Sequence, residues 1–322
     1  MKTLLHNSKF ITTVFILFSL FFVGNAFGQK TWTGATSTDW NTSGNWSPSG
    51  VPSATSVLIP GGLTNYPVIS GTVPSVTTIS VNNTGSGGML TINSSGALTA
   101  TGLITINANG TLTMNAGTAT LAGITSSGDF NMNGGTMTST VNITLSTSGT
   151  TLDQTAGTIW MATNTGTNPS DNLVITAGTV TQAGGTIYTK DFAPAAGTFN
   201  QTGSSAVFRI FHDWKPSGTF TFNSTDGTFR VSGAGGGALT YALSTVQFHD
   251  VLIDAGVEQD FGSIASSTIR ISGNYTDNNT GVLTITTPYT VLFNGSSAQT
   301  ITTSRGANNS FSSLTISNTS GG

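Results

Sequence analysis

Gly117-Thr118-Ala119 opens a series of near-identical triplets. It returns as Gly135-Thr136-Met137, Gly157-Thr158-Ile159, Gly178-Thr179-Val180, Gly197-Thr198-Phe199 and Gly218-Thr219-Phe220. With Gly96 before them and Gly237 and Gly256 after, the glycines recur on a nearly even period of about 20. The position two residues past the glycine is apolar from Leu98 to Phe220 and again at Leu239, and the series breaks at Glu258. A second column, Ile187, Phe208, Phe229, Phe248 and Ile269, repeats on nearly the same period. Around it the pattern alternates, as in Phe208-Arg209-Ile210 and Phe229-Arg230-Val231. Alternation of period two marks a strand with one buried face.

Short strands, glycine-rich corners and a repeat of about 20 residues describe a solenoid whose coils stack their equivalent positions. The expected fold is all-β, a right-handed parallel β-helix, because parallel crossovers are right-handed. Ten to twelve coils would make a rod roughly 50–60 Å long at the inter-strand spacing of about 4.8 Å. A pair of antiparallel sandwiches would share the turn signals but would not require columns at this period. Composition agrees with the solenoid. Of 322 residues, 60 are Thr, 41 Gly, 38 Ser and 26 Asn, which weaken helices. Eighteen Phe argue against disorder, and the lack of Cys excludes a disulfide scaffold. Charged residues form 7% of the chain, nine basic and twelve acidic, too few to steer nucleic acid.

The two ends differ from the middle. Lys2 and Lys9 precede an apolar run from Phe10 to Gly24, and Ala26 and Gly28 suit cleavage before Gln29. Residues 1–28 therefore read as a signal peptide. The apolar run is shorter than the roughly 20 residues of a bilayer span, so the mature protein is expected outside the cytoplasm without a membrane span. Residues 29–75 hold Trp32, Trp40 and Trp46 and five of the nine prolines. A solenoid needs its first coil covered, so this segment reads as an N-terminal cap with the three tryptophans as capping aromatics. The alternative is a carbohydrate platform of stacked rings. Residues 76–322 read as β-helix repeats.

The stretches T-W-T-G (31–34), D-W-N (39–41), N-W-S-P (45–48) and I-P-G-G-L-T-N-Y-P (59–67) carry a resemblance. So do F-N-G-S-S-A-Q-T-I (293–301) and F-S-S-L-T-I-S-N (311–318), with a weaker copy at F-H-D-V-L-I-D (248–254). Together they resemble secreted, adhesin-like β-helix repeat proteins of Bacteroidota-type bacteria, exported by the type IX system. The resemblance implies a large surface-displayed protein with a C-terminal sorting domain. The chain departs from that pattern by stopping at Ser320-Gly321-Gly322 within a repeat, which reads as a C-terminal truncation.

The sequence offers little catalytic chemistry. His212 and His249 lack metal-ligand spacing, no Gly-x-Ser-x-Gly elbow occurs, and neither a metal nor a cofactor is expected. Gly233-Ala234-Gly235-Gly236-Gly237 has no lysine and reads as a corner, not a phosphate loop. Asp250, Asp254, Glu258 and Asp260 form the densest acidic stretch, either a solvated turn or paired carboxylates for glycoside chemistry. The outward neighbours of the second apolar column are Tyr188, Arg209, Arg230, His249 and Arg270. Stacked cations repel unless compensated. Asp191, Asp213, Asp226 and Asp250 offer compensation, in which case the row is an ion-paired face. Otherwise it is a stripe for an anionic glycan, since arginine grips carboxylate or sulfate through two donors. The expected function is a non-catalytic extracellular or cell-surface adhesin or stalk binding polysaccharide or host glycans. The alternative is a β-helix polysaccharide lyase or glycoside hydrolase acting on an anionic polymer.

Overall fold

A computed structural model describes residues 28–84, 86–162, 169–233, 237–238, 245–256, 259–260, 268–280, 289–305 and 311–320. Of residues 1–28, expected to be a signal peptide, all but Gly28 lie outside these residues. The fold is a parallel β-solenoid of about 10 turns, with coils of about 22 residues. Two long sheets of 16 and 12 strands run the length of the rod. Every described pairing between strands is parallel, except that of Lys30–Trp32 with Trp46–Ser47. Among the described residues no helix is long and apolar enough to cross a membrane.

Each coil contributes inward side chains to both sheets. In the first sheet, register stacks Ala119, Met137, Ile159, Ile187, Phe208, Phe229 and Val251. In the second it stacks Leu90, Leu112, Phe130, Leu152, Val180, Phe199 and Phe222. These residues are buried, and together they form the core. Ala97–Ile106 and Thr118–Ser126 are long because each turns a corner within one strand. Their second halves pair with Ile79–Val81 and Ile143–Leu145, adding a third face to the coil. Past that face the interior becomes aromatic: Phe192 stacks on Trp214 at 5.4 Å, and Phe208, Phe222, Phe229 and Phe248 pack around the pair.

The recurring glycines do not all mark the same corner. The Gly-Thr pair opens strands of both sheets. Thr118, Thr136, Thr158 and Thr186 align in the first, Thr179 and Thr198 in the second. The coil is also uneven. Thr118, Thr136, Thr158 and Thr186 are successive register partners, and each interval is longer than the one before it. A fixed period of about 20 therefore slides from one corner to the other between Gly157 and Gly178.

The parallel ladder already begins inside the segment 29–75, where Lys30 and Thr31 pair with Val57 and Leu58. Trp32, Trp40 and Trp46 meet edge to face, with centroids 4.8 Å apart in both contacts. Trp32 donates to the Asn65 carbonyl and Trp46 to that of Trp40, each at 2.8 Å. All three rings are buried, so none offers an open face to a sugar. Buried Asn45 ties the loop around them, accepting from the Thr36 and Ser37 amides at 2.9 Å.

Candidate functional site

The outward row of the first sheet runs Trp160, Tyr188, Arg209 and Arg230. It lies on the strands Thr158–Met161, Thr186–Thr189, Val207–Ile210 and Thr228–Val231. Each strand opens at a corner and alternates inward and outward from there, which fixes these four side chains on one face. Trp160 lies against Tyr188 with centroids 3.9 Å apart, and Phe211 closes the patch at 6.2 Å from Tyr188. The Arg209 guanidinium sits 4.7 Å from the Phe211 ring centroid and 5.6 Å from that of Tyr188. Cation–π attraction holds it on the aromatic patch.

One carboxylate serves both arginines. Asp254 Oδ2 lies 3.2 Å from Arg209 Nη2, and Oδ1 lies 2.9 Å from Arg230 Nη2. Arg230 Nε also donates to Asp254, and Arg209 Nε donates to Ser232 Oγ at 2.6 Å. The Ser232 hydroxyl in turn donates to Asp254. Burial pushes the Asp254 carboxyl up, but hydrogen bonds from Arg230 and Ser232 and the charges of both arginines outweigh it. Its pKa is held below the ordinary 3.8, so it is ionised at neutral pH. Two cations against one anion leave a surplus of one positive charge.

Sequence reasoning grouped five residues here, and the structure brings three of them together: Tyr188, Arg209 and Arg230. His249 and Arg270 leave the row. Asp250 is the register partner of Thr228, so His249 aligns with corner residue Gly227. There it meets Ser272 Oγ at 3.1 Å and Asp226 Oδ1 at 3.7 Å. Arg270 belongs to the second sheet, between Gln247 and Leu292, and Leu252 takes the next place in the arginine row. The cause is the variable coil length, which the near-even spacing of the column in sequence concealed.

The arginines are ion-paired, but not by the carboxylates expected to compensate them. Asp191, Asp213, Asp226 and Asp250 make no ion pair with the arginines among the described residues; Asp254, read from sequence as part of a solvated turn or of a carboxylate pair, bridges both. Its signal was present, because Ile253 pairs with Val231 and so brings Asp254 beside Ser232. Trp160 and Phe211 were also missed. The long step between Thr158 and Thr186 hid Trp160 from a period of about 20. Of the other acids in this stretch, Glu258 lies outside the described residues, and of Asp260 only the backbone is described. Asp250 Oδ1 accepts the Asn274 amide at 2.6 Å.

A second cluster gathers Asp191, His212 and Asp213, whose ligand atoms all lie within 4.8 Å of one another. Sequence spacing at His212 showed no sign of this grouping. His212 Nδ1 is 2.7 Å from Asp191 Oδ1, while Lys190 and Lys215 pair with the two carboxylates at 3.8 and 2.6 Å. The same Asp191 oxygen accepts the Asp213 amide, and Asn172 accepts that of Asp191. The carboxylates thus tie successive coils, and a cation would have to displace two ammonium groups to enter.

A family model described as a domain of unknown function (DUF8693) matches residues 31–167. The match spans the tryptophan layer and the coils through Trp160, and it ends before Tyr188. No curated protein and no solved structure matches the chain.

Proposed function

We propose that this chain is a non-catalytic extracellular or cell-surface repeat protein, an adhesin or stalk that presents a glycan-binding face. One observation carries the reading: two parallel sheets run side by side, the first from Lys30 to Thr303 and the second from Val68 to Ile316, so coils stack along one axis and present successive outward side chains. Such an axis suits spacing and contact with an extended partner. The positive n-region and apolar run before Gln29 support export. The arginines of the row support binding over base chemistry. Both share Asp254, which is held ionised between them by two guanidinium groups and a hydroxyl.

Expression of the full chain in a bacterial host, followed by N-terminal sequencing and protease treatment of intact cells, tests the surface reading. The expected result is a chain beginning near Gln29 that external protease removes. An uncleaved chain protected inside the cell would sink it. The enzymatic alternative is tested by incubation with pectin, alginate and sulfated glycans, where turnover to unsaturated or shortened products would replace the adhesin reading.

A further inference from the structure

We propose that the row Tyr188, Arg209 and Arg230, with Phe211 and resting on buried Trp160, binds an anionic polysaccharide laid along the solenoid axis. This rests on the reading of the rod as a surface binding protein and names the ligand class of its face.

Three observations converge. First, register puts one large side chain on each of four successive coils, at a rise of about 4.8 Å per coil, and those of Tyr188, Arg209 and Arg230 reach solvent while Trp160 is buried. An extended polymer lying across the strands meets one after another. Second, the row is divided by chemistry. Trp160, Tyr188 and Phe211 form a contiguous aromatic patch in which buried Trp160 is the base and the half-buried Tyr188 and Phe211 rings keep surface on which the C–H faces of a sugar ring lose water. Arg209 and Arg230 give charge beside it. Third, the guanidinium groups are fixed yet not exhausted. Asp254 and Ser232 take Nε and Nη2 donors, while neither Nη1 has a hydrogen-bond partner among the described residues. The arginine side chains are 23% and 35% exposed. The site therefore keeps outward-reaching donors and one unit of surplus charge.

The surroundings narrow the ligand. The chain is acidic, with a pI near 5.4. A polyanion is repelled over most of its surface and held only where the surplus is local. Nucleic acid affinity grows with the number of phosphates neutralised, and two arginines sharing one aspartate neutralise few. A sparsely contacted carboxylated or sulfated glycan, which adds apolar ring faces to its charge, fits both halves of the row.

The test is retention of the purified protein on immobilised polygalacturonate, dextran sulfate, neutral dextran and single-stranded DNA at low ionic strength. Retention is expected on polygalacturonate or dextran sulfate and not on dextran. The stronger of the two charged polymers identifies carboxylate or sulfate as the recognised group. Arg230→Gln and Tyr188→Ala are each expected to weaken binding by about tenfold or more. Arg230→Lys should recover part of the loss, and Lys215→Gln, outside the row, should leave binding unchanged. Circular dichroism and melting temperature show that each variant remains folded. Equal retention on dextran or DNA, retention on neither charged polymer, or undiminished binding by folded Arg230→Gln and Tyr188→Ala would overturn the proposal. A surface-exposed protein that retains neither polymer removes this site alone. Binding by a protein that stays inside the cell removes the surface reading alone.

Discussion

Identical residues in one sequence column meet different surroundings. Gly117 and Gly256 both have positive φ, +79° and +76°. A Cβ on Gly117 would sit 2.3 Å from the Gly96 carbonyl oxygen of the coil beneath, whereas no described neighbour of Gly256 comes within 4 Å. Gly117→Ala is therefore expected to cost about 3 kcal/mol in chemical denaturation, and Gly256→Ala about 1 kcal/mol, the left-handed backbone alone. A similar magnitude on both would show that the coil contact is unimportant. Asp254 gives a second prediction. Because its folded pKa lies below 3.8, its ionisation adds stability that is complete above that value. That stability is lost as pH falls through the lowered pKa. Asp254→Asn should cost about 1–2 kcal/mol at neutral pH, and its melting curve should converge with the wild type only below about pH 4. Convergence at pH 6 would remove Asp254 as the common anchor.

Strands of the second sheet carry a feature that spacing did not reveal. Their last inward position is apolar at Met114 and Met132, then polar at Gln154, Gln182, Gln201 and Ser224. All four polar side chains are completely buried. Gln182 Nε2 donates to Gln154 Oε1 at 3.0 Å, Gln201 Nε2 to Gln182 Oε1 at 3.2 Å, and Ser224 Oγ to Gln201 Oε1 at 2.9 Å. Each amide also meets corner carbonyls, Gly185 and Val207 in the case of Gln182. Gln182→Leu keeps the bulk but strands those acceptors. It should lower stability by about 2–4 kcal/mol, read from denaturant midpoints, and a neutral result would contradict the ladder. Alternation made the strands legible, and the apolar columns gave their inward faces. The choice of sheet was not legible, because the Gly-Thr corner looks the same in both. The site was legible only where coil length stayed constant, from Ile187 through Phe208 to Phe229. Beyond Phe229 the inward place passes to Val251, so Phe248 and His249 fell out of step. Buried Gln154 escaped a reading that searched interiors for apolar side chains alone.

At the scale of the rod, each coil pairs its strands only with those of its neighbours, so stability is to first order a sum of coil and interface terms. The backbone ladders that join coils point along the axis, because strands lie across it. This arrangement decides how a stalk responds to force. Tension applied end to end would open each ladder bond by bond, as a zipper, instead of loading all of them in shear. A coil of about 22 residues occupies about 4.8 Å of rod but spans about 75 Å when extended. Pulling a single molecule between its ends should therefore yield repeated low-force steps, each lengthening it by about 70 Å. One abrupt rupture of the whole rod would contradict coil-by-coil release. On the proposed stalk reading, a rod of this kind under flow would unreel and limit the load on whatever its far end holds.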